Sequence, residues 1–273
     1  MSAAPVRIPL GTPRGLLAAI GRPFVDAAAQ VLAAAGMAVA VIAEAVRPIA
    51  WRPPVTAEFM RTMSEAGVGG IRAAMISGAL FGVAMVMQAA YWLGVAGQLD
   101  LVAKVLVLLL IREIAPVIMG LILVGRSATA MMIEFSLMRR NGQLRMLALH
   151  GIEPFRFLVM PRVVGLALSQ FALTVVFVLT ALVLGHLFGY AAGVTQRSLF
   201  GFLDRVLQAM TMMDFVILPL KSLAIGLAVG IVSTLAIFDP GAHQRPIKAL
   251  IAGGFVNAVL AVFLVSGLLS VLL

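Results

Sequence analysis

Long apolar runs without a single Asp, Glu, Lys or Arg punctuate the chain at Ala73–Leu99, Val163–Gln196, Ser222–Phe238 and Ala249–Leu273. A helix needs about 20 mainly apolar residues to cross a hydrocarbon core roughly 30 Å thick, so each run suffices or nearly so. Closed β-barrels are the other fold that satisfies its backbone in lipid, but their strands alternate apolar and polar positions, and stretches such as Leu166–Leu184 do not alternate. The pattern predicts an all-α integral membrane protein with about five transmembrane helices, near 71–94, 101–130, 163–196, 215–238 and 249–272. The first ends at Tyr91 and Trp92, an aromatic pair suited to the headgroup level. The second contains Arg112, Glu113 and Pro116, and only its flanks demand a crossing. The third would extend about 50 Å as one straight helix, so it must tilt, bend or protrude.

Residues 1–26 are rich in Pro, Gly and Arg and lead into the Ala-rich stretch Ala27–Ala43. Arginines flank that stretch on both sides, whereas a true span leaves one side poor in them. It reads as a helix lying in the cytoplasmic interface or dipping partway into the bilayer. The early prolines and arginines argue against a secretory signal. Two regions result: an N-terminal cytoplasmic and interfacial region, 1–70, and a transmembrane domain, 71–273, containing a cytoplasmic segment at 126–162. Fifteen of the 20 Lys and Arg residues then fall on one side and three (Lys104, Arg197, Arg205) on the other. The positive-inside rule puts the N-terminus in the cytoplasm and the C-terminus outside. Residues 197–214 read as an outward-facing connection and 239–248 as a cytoplasmic loop.

Composition agrees. The chain is 62% hydrophobic and 11% charged, against about 25% charged in soluble domains. A net charge of +9 would suggest nucleic acid in a soluble protein, but here the basic residues sit between spans, so no nucleic-acid partner is expected. With no cysteine and three scattered histidines, no metal site is expected. No Walker A, HExxH or GxSxG pattern occurs, so the chain reads as a non-enzyme without catalytic residues, its energy coming from a partner or a gradient.

Ionisable groups inside a membrane are costly unless paired or hydrated, which singles out Arg112, Glu113, Asp214 and Lys221. Arg112 or Lys221 could meet an anionic headgroup; the blander alternative, which is favoured, pairs them with Glu113 or Asp214 to set helix registry. Pro116 and Pro219 free the carbonyls of Arg112 and Phe215, so kinks are expected. Gly185, Gly189 and Gly193, and separately Gly226 and Gly230, form rows that let helices approach closely, within one subunit in preference to a dimer interface. His186 suits a polar cross-helix contact better than a proton relay, and the sixteen methionines suit core filling better than a variable apolar pocket.

Five blocks carry a resemblance. Arg112-Glu113-Ile114-Ala115-Pro116, Val124-Gly125-Arg126-Ser127, Glu134 to Arg139 with Gln143-Leu144, Gly151-Ile152-Glu153-Pro154, and Pro161-Arg162 together resemble the signature of the MlaE/YrbE permease family over roughly residues 55–270. Gln88 and Lys221-Ser222 also fall where that family has them. The chain departs from the pattern at Gly142, where the family has Glu, at Ser136, where it has Gly, and at Arg145. The resemblance implies a lipid-carrying ABC permease of the bacterial inner membrane. A coupling helix within about 134–150 would dock on a cytoplasmic ABC ATPase through Glu134, Leu137, Met138, Arg139, Arg140, Gln143 and Leu144. ATP and Mg would bind that ATPase, and this chain would carry no cofactor. The resemblance further implies a homodimer of two permease copies, a lipid cavity between them lined by spans one, two and five, with Gln88, Tyr91, Arg112, Glu113 and Lys221 as candidate contacts, a periplasmic MCE-domain protein and, as a further partner, a STAS-domain protein. The residues themselves agree, since Leu137, Met138, Leu144 and Leu147 could dock while the arginines orient; the alternative is a solvated loop on anionic lipid. Two rival functions are an ion-coupled secondary transporter using Glu113, Asp214 and Lys221, although five spans divide badly into inverted repeats, and a non-transporting scaffold.

Overall fold

The computed structural model describes residues 13–98, 101–193, 198–238 and 246–272, with residues 13–27 as backbone only. The helices are α1 (Pro13–Ala45), α2 (Pro53–Val95), α3 (Val102–Arg140), α4 (Gln143–Leu149), α5 (Phe155–Ala191), α6 (Leu199–Ala209), α7 (Met212–Phe238) and α8 (Ile247–Leu272). No strand occurs among the described residues. The protein is an all-α membrane protein, and six of its helices (Ala28–Ala45 of α1, then α2, α3, α5, α7 and α8) are long and apolar enough to cross a membrane.

Helix count and several boundaries differ from the expectation. Ala27–Ala43 belongs to a 33-residue helix that meets the length and apolarity of a sixth span, because Val31, Leu32, Val39 and Ile42 face outward between the alanines. Its C-terminal end is tied down: Arg156 Nε lies 2.9 Å from Glu44 Oε1, and Trp51 Nε1 donates to the Ala45 carbonyl at 2.8 Å. The first span begins at Pro53, not 71, so one helix runs through the 70/71 boundary; the second continues past 130 to Arg140. Hydropathy cannot follow these extensions because their charges look like loop, yet the charges pair with one another. The connection 197–214 contains a helix, α6, capped by Ser198, whose Oγ accepts from Gly201 N at 3.3 Å. Residues 239–245 of the expected cytoplasmic loop lie outside the described residues, as does Arg197.

α5 is the central post, packed along α2 on one side and α7 on the other. Glycines permit both contacts. A Cβ on Gly78 would stand 2.7 Å from the Phe177 carbonyl oxygen, and one on Gly185 would stand 2.6 Å from that of Gly82. A Cβ on Gly226 would stand 2.7 Å from Ala167 Cα, and one on Gly230 3.2 Å from Val163 Cα. Gly185, Gly226 and Gly230 therefore serve packing within one subunit. Two apolar cores result, one around Met132, Phe135, Met160 and Ile225, the other around Leu110, Met119 and Phe177. Met119, Met132 and Met160 are core filler, as expected.

At 39 residues, α3 is about 58 Å long and outruns the hydrocarbon core. The turn before Pro116 is widened over Leu106–Ile114, which accommodates the ring and missing N–H of the proline. Gln170 Nε2 of α5 donates to the Pro116 carbonyl at 2.9 Å. Similarly widened turns lie at Met63–Gly67 in α2 and Val124–Ala128 in α3.

Candidate functional site

The ionisable residues collect at two levels. Within the spans, Arg112 Nε donates to Asp214 Oδ1, and the other carboxylate oxygen accepts from Thr211 N at 2.7 Å and Thr211 Oγ1 at 3.0 Å. Lys221, 1% exposed, donates from Nζ to Glu113 Oε2 at 2.8 Å and lies 2.7 Å from Ser270 Oγ. Ser270 in turn donates to Glu113 at 2.8 Å. The adjacent Arg112 and Glu113 thus take different partners, as neighbours on a helix must, so α3 and α7 are joined by two charge pairs and α8 is tied to one of them through the Ser270 hydroxyl. Among the described residues, the pairing expected for helix registry accounts for all four groups. Gln88 and Tyr91 are exposed on α2, and no hydrogen bond or ion pair among the described residues joins them to Arg112, Glu113 or Lys221. His186 stacks on Phe202 of α6 with ring centroids 4.7 Å apart, a cross-helix contact.

The second level lies where α2, α3 and α5 project beyond their apolar stretches. Arg162, 4% exposed, grips Glu134 with both terminal nitrogens (2.7 and 3.0 Å) and Glu58 through Nε at 3.2 Å. Its guanidinium lies 4.8 Å above the Phe135 ring, a cation–π contact. Arg61 adds contacts to Glu134 (3.3 Å) and Glu65 (2.9 Å). Arg126 Nη2 donates to the Glu65 carbonyl at 2.6 Å, so α3 holds the widened turn of α2. These groups rim a cavity of about 530 Å³.

Next to this cluster, α4 follows α3 through Gly142 and ends at Gly151, both with positive φ (71° and 75°). Met138, Leu144 and Leu147 pack against the core, and Arg139 Nη1 donates to the Ile237 carbonyl. Leu137, Met146 and Leu149 remain exposed, Leu149 by 74%, together with Arg140, Gln143 and Arg145. Of the residues expected at a motor contact, Leu137, Arg140 and Gln143 thus lie on the surface. Glu134 turns inward to Arg162, and Met138, Arg139 and Leu144 fasten the segment to the body.

The Permease MlaE family matches residues 59–272. The chain belongs to the MlaE permease family. Among relatives of this MlaE permease, a probable ABC transporter permease protein of Rickettsia typhi is 26% identical over 174 residues, 63% of this chain and 66% of the relative. A probable ABC transporter permease protein of Synechocystis is 27% identical over 217 residues, 77% of this chain and 80% of the relative. The intermembrane phospholipid transport system permease protein MlaE of Haemophilus influenzae is 26% identical over 130 residues, 48% of this chain and 50% of the relative. The chain spans slightly less than two thirds of the Rickettsia relatives it matches.

In this MlaE permease the departure at Gly142 has a structural reason. The residue adopts the left-handed conformation that turns α3 into α4, with open space around its missing Cβ. Gly142→Glu is expected to lower stability by about 1–2 kcal/mol, the cost of a side chain in that conformation, and Gly142→Asn by less, because asparagine tolerates it; thermal melts of the detergent-solubilised protein check the order. Sequence reasoning missed Glu58, Arg61, Glu65 and Ser270. The first three gave one signal, acidic residues at i, i+7 interleaved with arginine, in a stretch assigned only to the N-terminal cytoplasmic and interfacial region; Ser270 gave none.

Proposed function

We propose that this chain is the membrane subunit of an ABC transporter that moves phospholipid or a related lipid between the inner membrane and a periplasmic MCE-domain protein. A separate cytoplasmic ATPase, carrying ATP and Mg, drives it. Two permease copies enclose the lipid, the N-terminus faces the cytoplasm, and a STAS-domain protein joins on the ATPase side. The observation that carries the reading is α4: a short helix, bracketed by left-handed glycines and fastened through Leu144 and Leu147, that presents Met146 and Leu149 to solvent, with Leu137 exposed at the end of α3 before it, beside the Arg162 ion cluster. An exposed apolar patch on a rigidly held element is what a partner groove requires, and the clamp to α2 and α5 would pass its motion to the spans. Family membership supports the same reading.

Met146→Glu combined with Leu149→Glu is expected to weaken co-purification of the ATPase at least about tenfold, as for buried interface anchors, while the chain still inserts and melts normally. Reconstituted vesicles then read lipid transfer to the MCE protein with ATP or with an ion gradient. Undiminished ATPase binding by the variant overturns the docking role of α4. Gradient-driven transport without ATPase establishes the ion-coupled alternative, against which the mutual pairing of Glu113, Lys221, Arg112 and Asp214 argues.

A further inference from the structure

The cavity beside the Arg162 cluster has a chemistry that clamping the helices does not use. α2 and α3 form its walls, and the buried Arg162 and Leu166 of α5 form its floor. Its volume, about 530 Å³, falls within the range of small-ligand pockets, roughly 300–1,000 Å³. It lies where all three helices leave their uncharged runs. Arg126 is the first charged residue of α3 after Glu113, Arg162 directly precedes the run from Val163, and Glu65 stands seven residues before Arg72, which precedes the run from Ala73. In a spanning protein that is the level of the lipid headgroups. Arg126 is thirteen residues past Glu113, about 20 Å along the helix, so the cavity is separate from the charge pairs within the spans.

Arg61 and Arg162 are matched by Glu58, Glu65 and Glu134, but Arg126 forms no ion pair among the described residues. Its guanidinium donates only to the carbonyls of Glu65 and Ala66 (2.6 and 3.4 Å), which leaves most of its five N–H groups available. The group is seated against backbone: a Cβ on Gly70 would stand 3.0 Å from Nη1. Ser127, half-buried and also lining the cavity, makes no hydrogen bond to any described residue. A fixed cation with spare donors beside a free hydroxyl suits a phosphate oxygen. The lining arginines and glutamates number three each, so a lone anion would leave this partly buried site charged, which is costly, whereas a zwitterion keeps it neutral. Glu65, whose side chain is 63% exposed and meets Arg61 alone, has acceptor capacity for an ammonium. Ala130 and Ile133, exposed along the α3 wall, give the ligand an apolar edge.

We infer that this cavity is a headgroup site for a zwitterionic phospholipid carrying a primary amine, taken from the cytoplasmic leaflet. The phosphate meets Arg126 and Ser127, the ammonium meets Glu65, and the acyl chains leave past Ala130 and Ile133. Occupied, the site bridges the widened turn of α2 to α3. The choice of leaflet rests on the orientation proposed above; the ligand chemistry does not.

Because the chain has no cysteine, Ala130→Cys reports on the cavity, and Ser64→Cys, exposed on α2 outside the lining, is the control. In the detergent-solubilised full chain, phosphatidylethanolamine is expected to slow maleimide labelling at 130 and not at 64, and phosphatidylglycerol to require about tenfold more lipid for the same protection. In the Ala130→Cys background, Arg126→Gln is expected to raise the phosphatidylethanolamine needed at least about tenfold, and Ser127→Ala about threefold. The Ser127 hydroxyl has no partner to lose, so that variant keeps the test decisive if Arg126→Gln misfolds. Glu65→Gln is expected to narrow the gap between the two lipids. Equal protection by phosphatidylglycerol, or native protection in the Arg126 and Ser127 variants, would overturn the assignment. Soluble glycerophosphoethanolamine protecting at the same concentration as the lipid would overturn the membrane source in favour of a free phosphate ester. No step needs ATP, a partner protein or lipid transfer, so failure of this site is distinguishable from failure of the transport reading.

Discussion

Gly82→Val is expected to remove the folded protein from the membrane. A Cβ at this position overlaps the backbone of Ala181, its carbonyl oxygen and Cα included, and a backbone inside a 37-residue helix cannot rotate aside as a side chain can. Relief requires α2 and α5 to separate along their crossing, which would also open the contacts of Gly78 with Phe177 and of Gly185 with Gly82. Overpacking a core against movable side chains costs about 1–3 kcal/mol; against backbone the cost should reach or exceed the top of that range, a large share of the roughly 5–15 kcal/mol that holds a typical domain together. Fluorescence-detected size exclusion of the tagged chain reads the outcome as loss of the monodisperse peak. Gly36→Ala in α1 is the control, with open space around the missing Cβ and a gain of about 0.5–1 kcal/mol expected from helix propensity alone. A normal peak for Gly82→Val would mean that α2 and α5 do not cross at this distance.

Arg162→Met carries the second large effect. The guanidinium is almost wholly buried and serves Glu134 and Glu58 together; removing it leaves two carboxylates sharing a partly buried site with Arg61 as their remaining counter-ion. Breaking one partner out of a buried ion pair costs about 3–5 kcal/mol. The acids are less buried than the arginine, which places the expectation at the lower end. A double variant separates the charge effect from simple loss of packing. Adding Glu134→Gln to Arg162→Met should recover part of the loss, giving a coupling of about 1 kcal/mol or more, as for residues in one network. Strict additivity of the two changes in thermal melts would show that the cluster contributes no mutual stabilisation.

Much of the architecture is visible in the residues. Runs such as Ala249–Leu273 need no tertiary knowledge, because an uninterrupted apolar stretch of that length has one way to meet a bilayer. The extension of α2 from Pro53 to Gly70 could not be read so. Arg61, Glu58 and Glu65 make it resemble a solvated loop, and it is helical because those charges are neutralised by Glu134, Arg162 and one another. α6 shows the same failure. Phe202, Leu203 and Val206 are spaced as one face of a helix, but Asp204 and Arg205 between them hid the periodicity. At the site, Glu113 and Lys221 were legible as costly groups in a span, and Ser270, which completes their contact, was not, since a serine near a helix end is unremarkable until the helix is placed.

The order of apolar and charged residues determined on its own that the chain is a helical membrane protein, which segments gather the arginines, and which family it resembles. Those are properties of neighbouring residues, and hydropathy sums them locally. The folded structure alone decided which of two adjacent charges meets which partner, with Arg112 reaching Asp214 and Glu113 reaching Lys221, and which glycines face a backbone and which face open space. Those depend on distances between residues a hundred positions apart, set by how the helices cross, and no local pattern encodes a crossing.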